Sequence, residues 1–74
     1  MSGKKKTTGT VKWFDDRKGF GFITVDDSPY DVFVHHTGIV GDGHRTLDEG
    51  NRVIFEVVEH EKGPKALYVQ RLPG

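Results

Sequence analysis

The stretch KGFGFITVDDSPYDVFVHH, residues 18–36, decides how the rest of the chain is read. Side chains alternate faces along a β-strand, so Phe20, Phe22 and Thr24 share one face, and Gly21, Ile23 and Val25 share the other. After the turn-rich DDSPYD, whose Pro29 bars a central strand position, the same alternation returns. Val32 and Val34 lie on one face there, Phe33 and His35 on the other. Two neighbouring strands thus each carry a β-branched face and an aromatic face. The β-branched face suits a core. The aromatic face needs another reason.

Working outward, GTVKWF at 9–14 reads as a first strand and DDRKG at 15–19 as the turn into a second strand at 21–25. The third strand covers 31–36. A long Gly-rich connection follows, TGIVGDGHRTLDEGN at 37–51. RVIFEVVEH at 52–60 alternates clearly, EKGP at 61–64 turns, and KALYVQRL at 65–72 closes the series. No segment sustains a 3.6-residue apolar period, so little α-helix is expected. Five short strands in 74 residues suggest a small antiparallel barrel, because closure removes exposed strand edges. The expected interior is Val11, Ile23, Val25, Val32, Val34, Val53, Phe55, Val57, Leu67 and Val69. In the first strand Trp13 and Phe14 break the alternation, as a bulge would allow.

Size and composition bound the function. The chain is a single-domain length, with residues 1–8 expected to form a flexible basic tail and 9–72 the folded domain. It has no cysteine, which removes disulfides and thiolate metal sites. No apolar run approaches a membrane span and no hydrophobic signal core follows the first methionine, so a cytoplasmic protein with no membrane partner is expected. Formal net charge is zero but unevenly spread. Lys4, Lys5, Lys6, Lys12, Arg17 and Lys18 sit early, Lys62, Lys65 and Arg71 sit late, and residues 26–61 are strongly acidic. Cations therefore accompany the first strands and the last one.

An outward cluster of Phe20, Phe22, Phe33 and His35 could pack beneath the 37–51 connection or against a second copy of the chain, as a protein-interaction or dimerisation module would. Three features favour a ligand instead: flanking Lys12 and Lys18, the bare backbone at Gly19 and Gly21, and a histidine where an aliphatic would serve. Flat rings among cations suit nucleobase stacking, worth about 1–3 kcal/mol per base and tolerant of sequence. A duplex hides its base faces, so the ligand implied is single-stranded.

The motifs GTVKWF, KGFGFI, DVFVHHTGI and RTLDEGNRVIFE…KGPKA resemble the cold-shock domain family in order and spacing, from about Gly9 to Leu72. KGFGFI is similar to that family's first ribonucleoprotein motif and VFVHH to its second. The resemblance implies an all-β, five-stranded OB-fold barrel that binds single-stranded RNA and DNA, often pyrimidine-rich. It further implies an RNA chaperone that regulates transcription or translation, without a cofactor, and a monomer is expected. Carried over by position, it makes Trp13, Phe20, Phe22, Phe33 and His35 the stacking platform. Lys12, Lys18, Asp31 and Lys65 would contact the ligand at its margin. His36 and His44 stand where the family often has phenylalanine, Asp15 where it has Asn, and Tyr68 where it often has Asn. Asp15 would place a negative charge near the phosphate track.

Other readings fit worse. An RRM domain shares the Lys-Gly-Phe-Gly-Phe core but needs helices between its strands, and its second motif precedes its first. Thr24 occupies the last glycine position of a dinucleotide fingerprint, and no helix follows. No nucleophile–base pairing is found, so no catalytic residue is expected. His35 and His36, adjacent on a strand, are expected to point apart, which argues against a metal site. Histidine changes charge in the mildly acidic range, so His35, His36 and His44 predict tighter binding there than at higher pH.

Overall fold

The computed structural model describes residues 6–41 and 46–73. The strands are β1 (Lys6–Asp15), β2 (Phe20–Val25), β3 (Asp31–His35), β4 (Arg52–Val58) and β5 (Lys65–Arg71), with one 3-10 turn at His36–Gly38. They close into a barrel in the order β1-β2-β3-β5-β4. The expected five-stranded all-β barrel is therefore the observed one. Neighbours pair antiparallel except β3 and β5, which run parallel through Phe33↔Lys65 and Val34↔Ala66.

The interior is the β-branched face. Val11, Ile23, Val32, Val34, Val53, Phe55 and Val69 are fully enclosed, and Val25, Ile39, Leu47 and Ala66 complete the core. Val57 packs against it from a half-buried position. Leu67, expected inside, is not: Ala66 takes its place. The reason is a change of register in β5. Glu56 pairs with Leu67, but Ile54 pairs with Gln70, so β5 carries one residue more than β4 over this step. Tyr68 absorbs the extra residue in a left-handed conformation, φ 54°, and every later side chain changes face.

A second irregularity lies in β1. Val11 pairs with Ile23 and Trp13 with Phe22, leaving Lys12 as the extra residue. Without it, Trp13 would share the inward face of Val11. The bulge instead places Trp13 outside, opposite Phe22, and points Phe14 toward the core.

Residues 6–8, read from the sequence as part of a tail, belong to β1. Lys6, Thr7 and Thr8 pair with Glu56, Phe55 and Ile54 of β4. Strand pairing satisfies their backbone groups, which a local reading of a Lys-rich segment does not foresee. The described parts of the long connection are fastened at the barrel's periphery. Val40 N–H donates to Val69 O at 2.8 Å, Gly50 N–H to Val11 O at 2.8 Å, and the Thr46 hydroxyl to an Asp16 carboxylate oxygen. Leu47 plugs the interior between them.

Candidate nucleic-acid interface

The outer faces of β1, β2 and β3 bring five rings into one array. Trp13 lies 5.8 Å from Phe20 and 5.6 Å from Phe22, between ring centroids. Phe33 lies 5.8 Å from each of those two phenylalanines, and His35 lies 6.5 Å beyond it in a near-parallel stack. The register explains the array: Phe22 pairs with Phe33, Phe20 with His35, and Trp13 with Phe22. Trp13 is the most open ring, at 39 % exposure, and the other four are half-buried.

His36 joins this array, and its position corrects a sequence-based expectation. The strand ends at His35, and His36 starts the 3-10 turn, so the two rings do not point apart. Their centroids are 4.4 Å from each other. His35 Nδ1 accepts from the Thr37 N–H and lies 2.9 Å from its hydroxyl, which fixes the imidazole plane.

The two glycines read as openings in the surface have a different cause. A Cβ on Gly21 would stand 2.2 Å from Trp13 O and 2.7 Å from Phe14 Cα, so the bare backbone admits the β1 bulge. Gly19 has φ +77° and lies under the His36 ring, whose Cδ2 would stand 2.6 Å from an added Cβ. Both glycines build the platform from beneath and behind.

At one margin Lys12 Nζ donates to Asp31 at 3.0 Å, and the Thr24 hydroxyl donates to the other carboxylate oxygen at 3.0 Å. Lys12 first, then Thr24, hold the Asp31 carboxyl below the usual carboxylate range. The bulge that turns Trp13 outward also places Lys12 within reach of Asp31. Asp15 accepts the Arg17 and Lys18 N–H groups at 2.9 and 3.1 Å, so its carboxylate closes the turn ahead of Phe20.

Beside Phe22 and Phe33 a cleft of about 510 Å³ opens, lined also by Asp31, Lys65 and the β4–β5 turn: His60, Lys62, Gly63 and Pro64. That turn is closed by mutual hydrogen bonds between His60 and Gly63, and Phe33 N–H ties it to Pro64 O at 3.3 Å. The sequence reading placed Lys65 at the site but missed His60, Lys62 and Pro64. Their arrival depends on the parallel β3–β5 pairing, which no local pattern announces; the adjacent Lys62–Gly63–Pro64 turn ahead of Lys65 was the available signal. His44 lies outside the described residues. Among the described residues no three histidines or carboxylates gather to hold a metal.

The family model for the "Cold-shock" DNA-binding domain matches residues 7–72. The chain belongs to the cold-shock domain family. Cold-shock domains are nucleic-acid-binding domains, not enzymes. The chain is 58 % identical over 66 residues to cold shock-like protein CspA of Stigmatella aurantiaca, covering 89 % of this chain and 97 % of that one. It is 55 % identical over 64 residues to cold shock protein CspD of Bacillus subtilis, covering 86 % and 96 %. Among solved structures, Drosophila Unr CSD456 superposes with a TM-score of 0.79 at 28 % identity. That match covers 96 % of this cold-shock domain but 28 % of the Drosophila chain. No helix of the described residues is long and apolar enough to cross a membrane.

Proposed function

We propose that this cold-shock domain binds single-stranded RNA and DNA by stacking bases on Trp13, Phe20, Phe22, Phe33, His35 and His36, as a monomer in the cytoplasm. The observation that carries the reading is the continuous array of outward rings, each within 6.5 Å of the next. Each base stacked on a ring contributes about 1–3 kcal/mol with little regard to its identity. Lys18, Lys62 and Lys65 meet phosphates, and the Asp31 carboxylate accepts base N–H groups at the cleft. Pyrimidine-rich strands are preferred. A strand held splayed on protein cannot pair with itself, so the domain opposes RNA hairpins without hydrolysing anything. That activity suits an RNA chaperone acting on transcription or translation.

Titrating Trp13 fluorescence with homopolymers of each base tests this. Saturable quenching by oligo-dT and oligo-U, weaker with purine strands and weakened by salt, is the expected result. No quenching, together with a dimer that forms as concentration rises, would instead make the aromatic face a protein-interaction surface.

A further inference from the structure

Tyr68 stands apart from the platform described above. It sits at the β5 irregularity with φ 54°, a left-handed conformation that asparagine adopts more readily than an aromatic residue. It is nonetheless 54 % exposed. A shallow cleft of about 370 Å³ lies against it, walled by residues 37–41 and Leu67. Val40, on the same wall, is also exposed. The cleft is lined by the exposed Tyr68 and Val40 and by the half-buried Leu67.

Its place in the fold makes it a continuation of the ring array. β5 runs parallel beside β3, with Lys65 level with Phe33 and Ala66 level with Val34. Ala66 and Val34 both face inward, so Leu67 falls on the outer side, next in line beside His35. The irregularity then keeps Tyr68 outside as well, before Val69 returns to the core. A direct link exists too. Thr37, whose hydroxyl and N–H contact His35 Nδ1, forms one wall of the cleft. A strand leaving the last platform ring thus meets this cleft next, with Lys65 on the same face of β5 for its phosphates.

We propose that Tyr68 and the cleft beside it form an additional stacking subsite for one base, engaged only by strands long enough to pass His35. The subsite rests on the platform reading above. It lengthens the footprint across β3 onto β5. The ring's face does the work, so the hydroxyl is dispensable.

The test compares wild type, Tyr68→Asn and Tyr68→Phe with oligo-dT of about four and about nine nucleotides, lengths within the span an OB barrel can take. Trp13 fluorescence reports binding, and thermal unfolding confirms that Tyr68→Asn keeps the fold, since asparagine suits the left-handed conformation. The short strand should bind all three proteins equally. The long strand should bind Tyr68→Asn roughly tenfold more weakly than wild type and Tyr68→Phe, the loss of one stacked base. In wild type, the Tyr68 ring proton resonances should shift with the long strand and not with the short one. Equal affinity of wild type and Tyr68→Asn for the long strand, or Tyr68 resonances that ignore it, overturns the subsite while leaving the platform standing. Absence of Trp13 quenching by either strand in wild type overturns both. A variant that changes self-association rather than DNA affinity would assign the cleft to a second copy of the chain and overturn the subsite.

Discussion

Gly21 of β2 lies against the Trp13–Phe14 backbone of β1, beside the bulge at Lys12. In Gly21→Ala, the added carbon meets backbone atoms of Trp13 and Phe14, which cannot swing aside as a side chain would. A loss of about 3 kcal/mol or more in denaturant unfolding is expected, at the upper end of overpacking costs. Alternation marked Gly21 as inward-facing, but the close approach behind it was not visible in the sequence. The histidine pair shows a similar limit. Period-two reasoning sends neighbours to opposite faces, and it failed at His36 because the strand had already ended. The pair predicts a pH effect. Asp31 is held ionised below the ordinary carboxylate range, so the Lys12–Asp31 contact does not change in the mildly acidic range. Histidine is the side-chain type that changes charge in that range, and oligo-dT should bind more tightly at about pH 6 than at about pH 8 at fixed salt. Equal affinities at the two pH values would contradict it.

At the scale of elements, the sequence showed where strands lie better than how they are joined. The β-branched runs from Val11 to Val34 and from Val53 to Phe55 gave the core face correctly, because each strand buries one side only. β5 was misread after Ala66, since its phase depends on a bulge fixed by pairing with β4. The start of β1 was misread for the same cause: its partner is distant in sequence. That junction is also pinned by charge. Arg52 at the start of β4 donates to both oxygens of Asp26, at 2.8 and 2.6 Å, and Thr8 of β1 donates to the same carboxylate at 2.7 Å. The Arg52 hydrogen bonds, then that of Thr8, hold Asp26 well below the usual carboxylate range. A depressed carboxylate contributes stability that is fully present above its unfolded pKa and lost as pH falls through the folded one. Arg52→Gln should therefore unfold at lower denaturant than wild type at neutral pH, with the difference shrinking as the solution is made strongly acidic. A gap that stays constant with pH would show that the pair does not carry this stability.

For the whole molecule, closure decides what the aromatic face is free to do. Because β1 meets both β2 and β4, and β5 meets both β3 and β4, every strand among the described residues has a neighbour on each side. The described parts of the long connection are fastened to Val69, Val11 and Asp16. The rings of β2 and β3 thus support one another on a scaffold whose stability comes from the other side of the sheet. The sequence announced the rings and their common face. It did not announce the cleft beside them, which exists only because β5 returns parallel to β3. The sharpest test pairs binding and stability in two variants. Phe33→Ala should lower affinity for oligo-dT by roughly tenfold or more, the loss of about one stacked base, while leaving the fold in place. Phe55→Ala, in the core, should cost about 3–5 kcal/mol of stability, yet whatever fraction remains folded should bind at wild-type affinity. Unchanged oligo-dT affinity in folded Phe33→Ala would contradict the account.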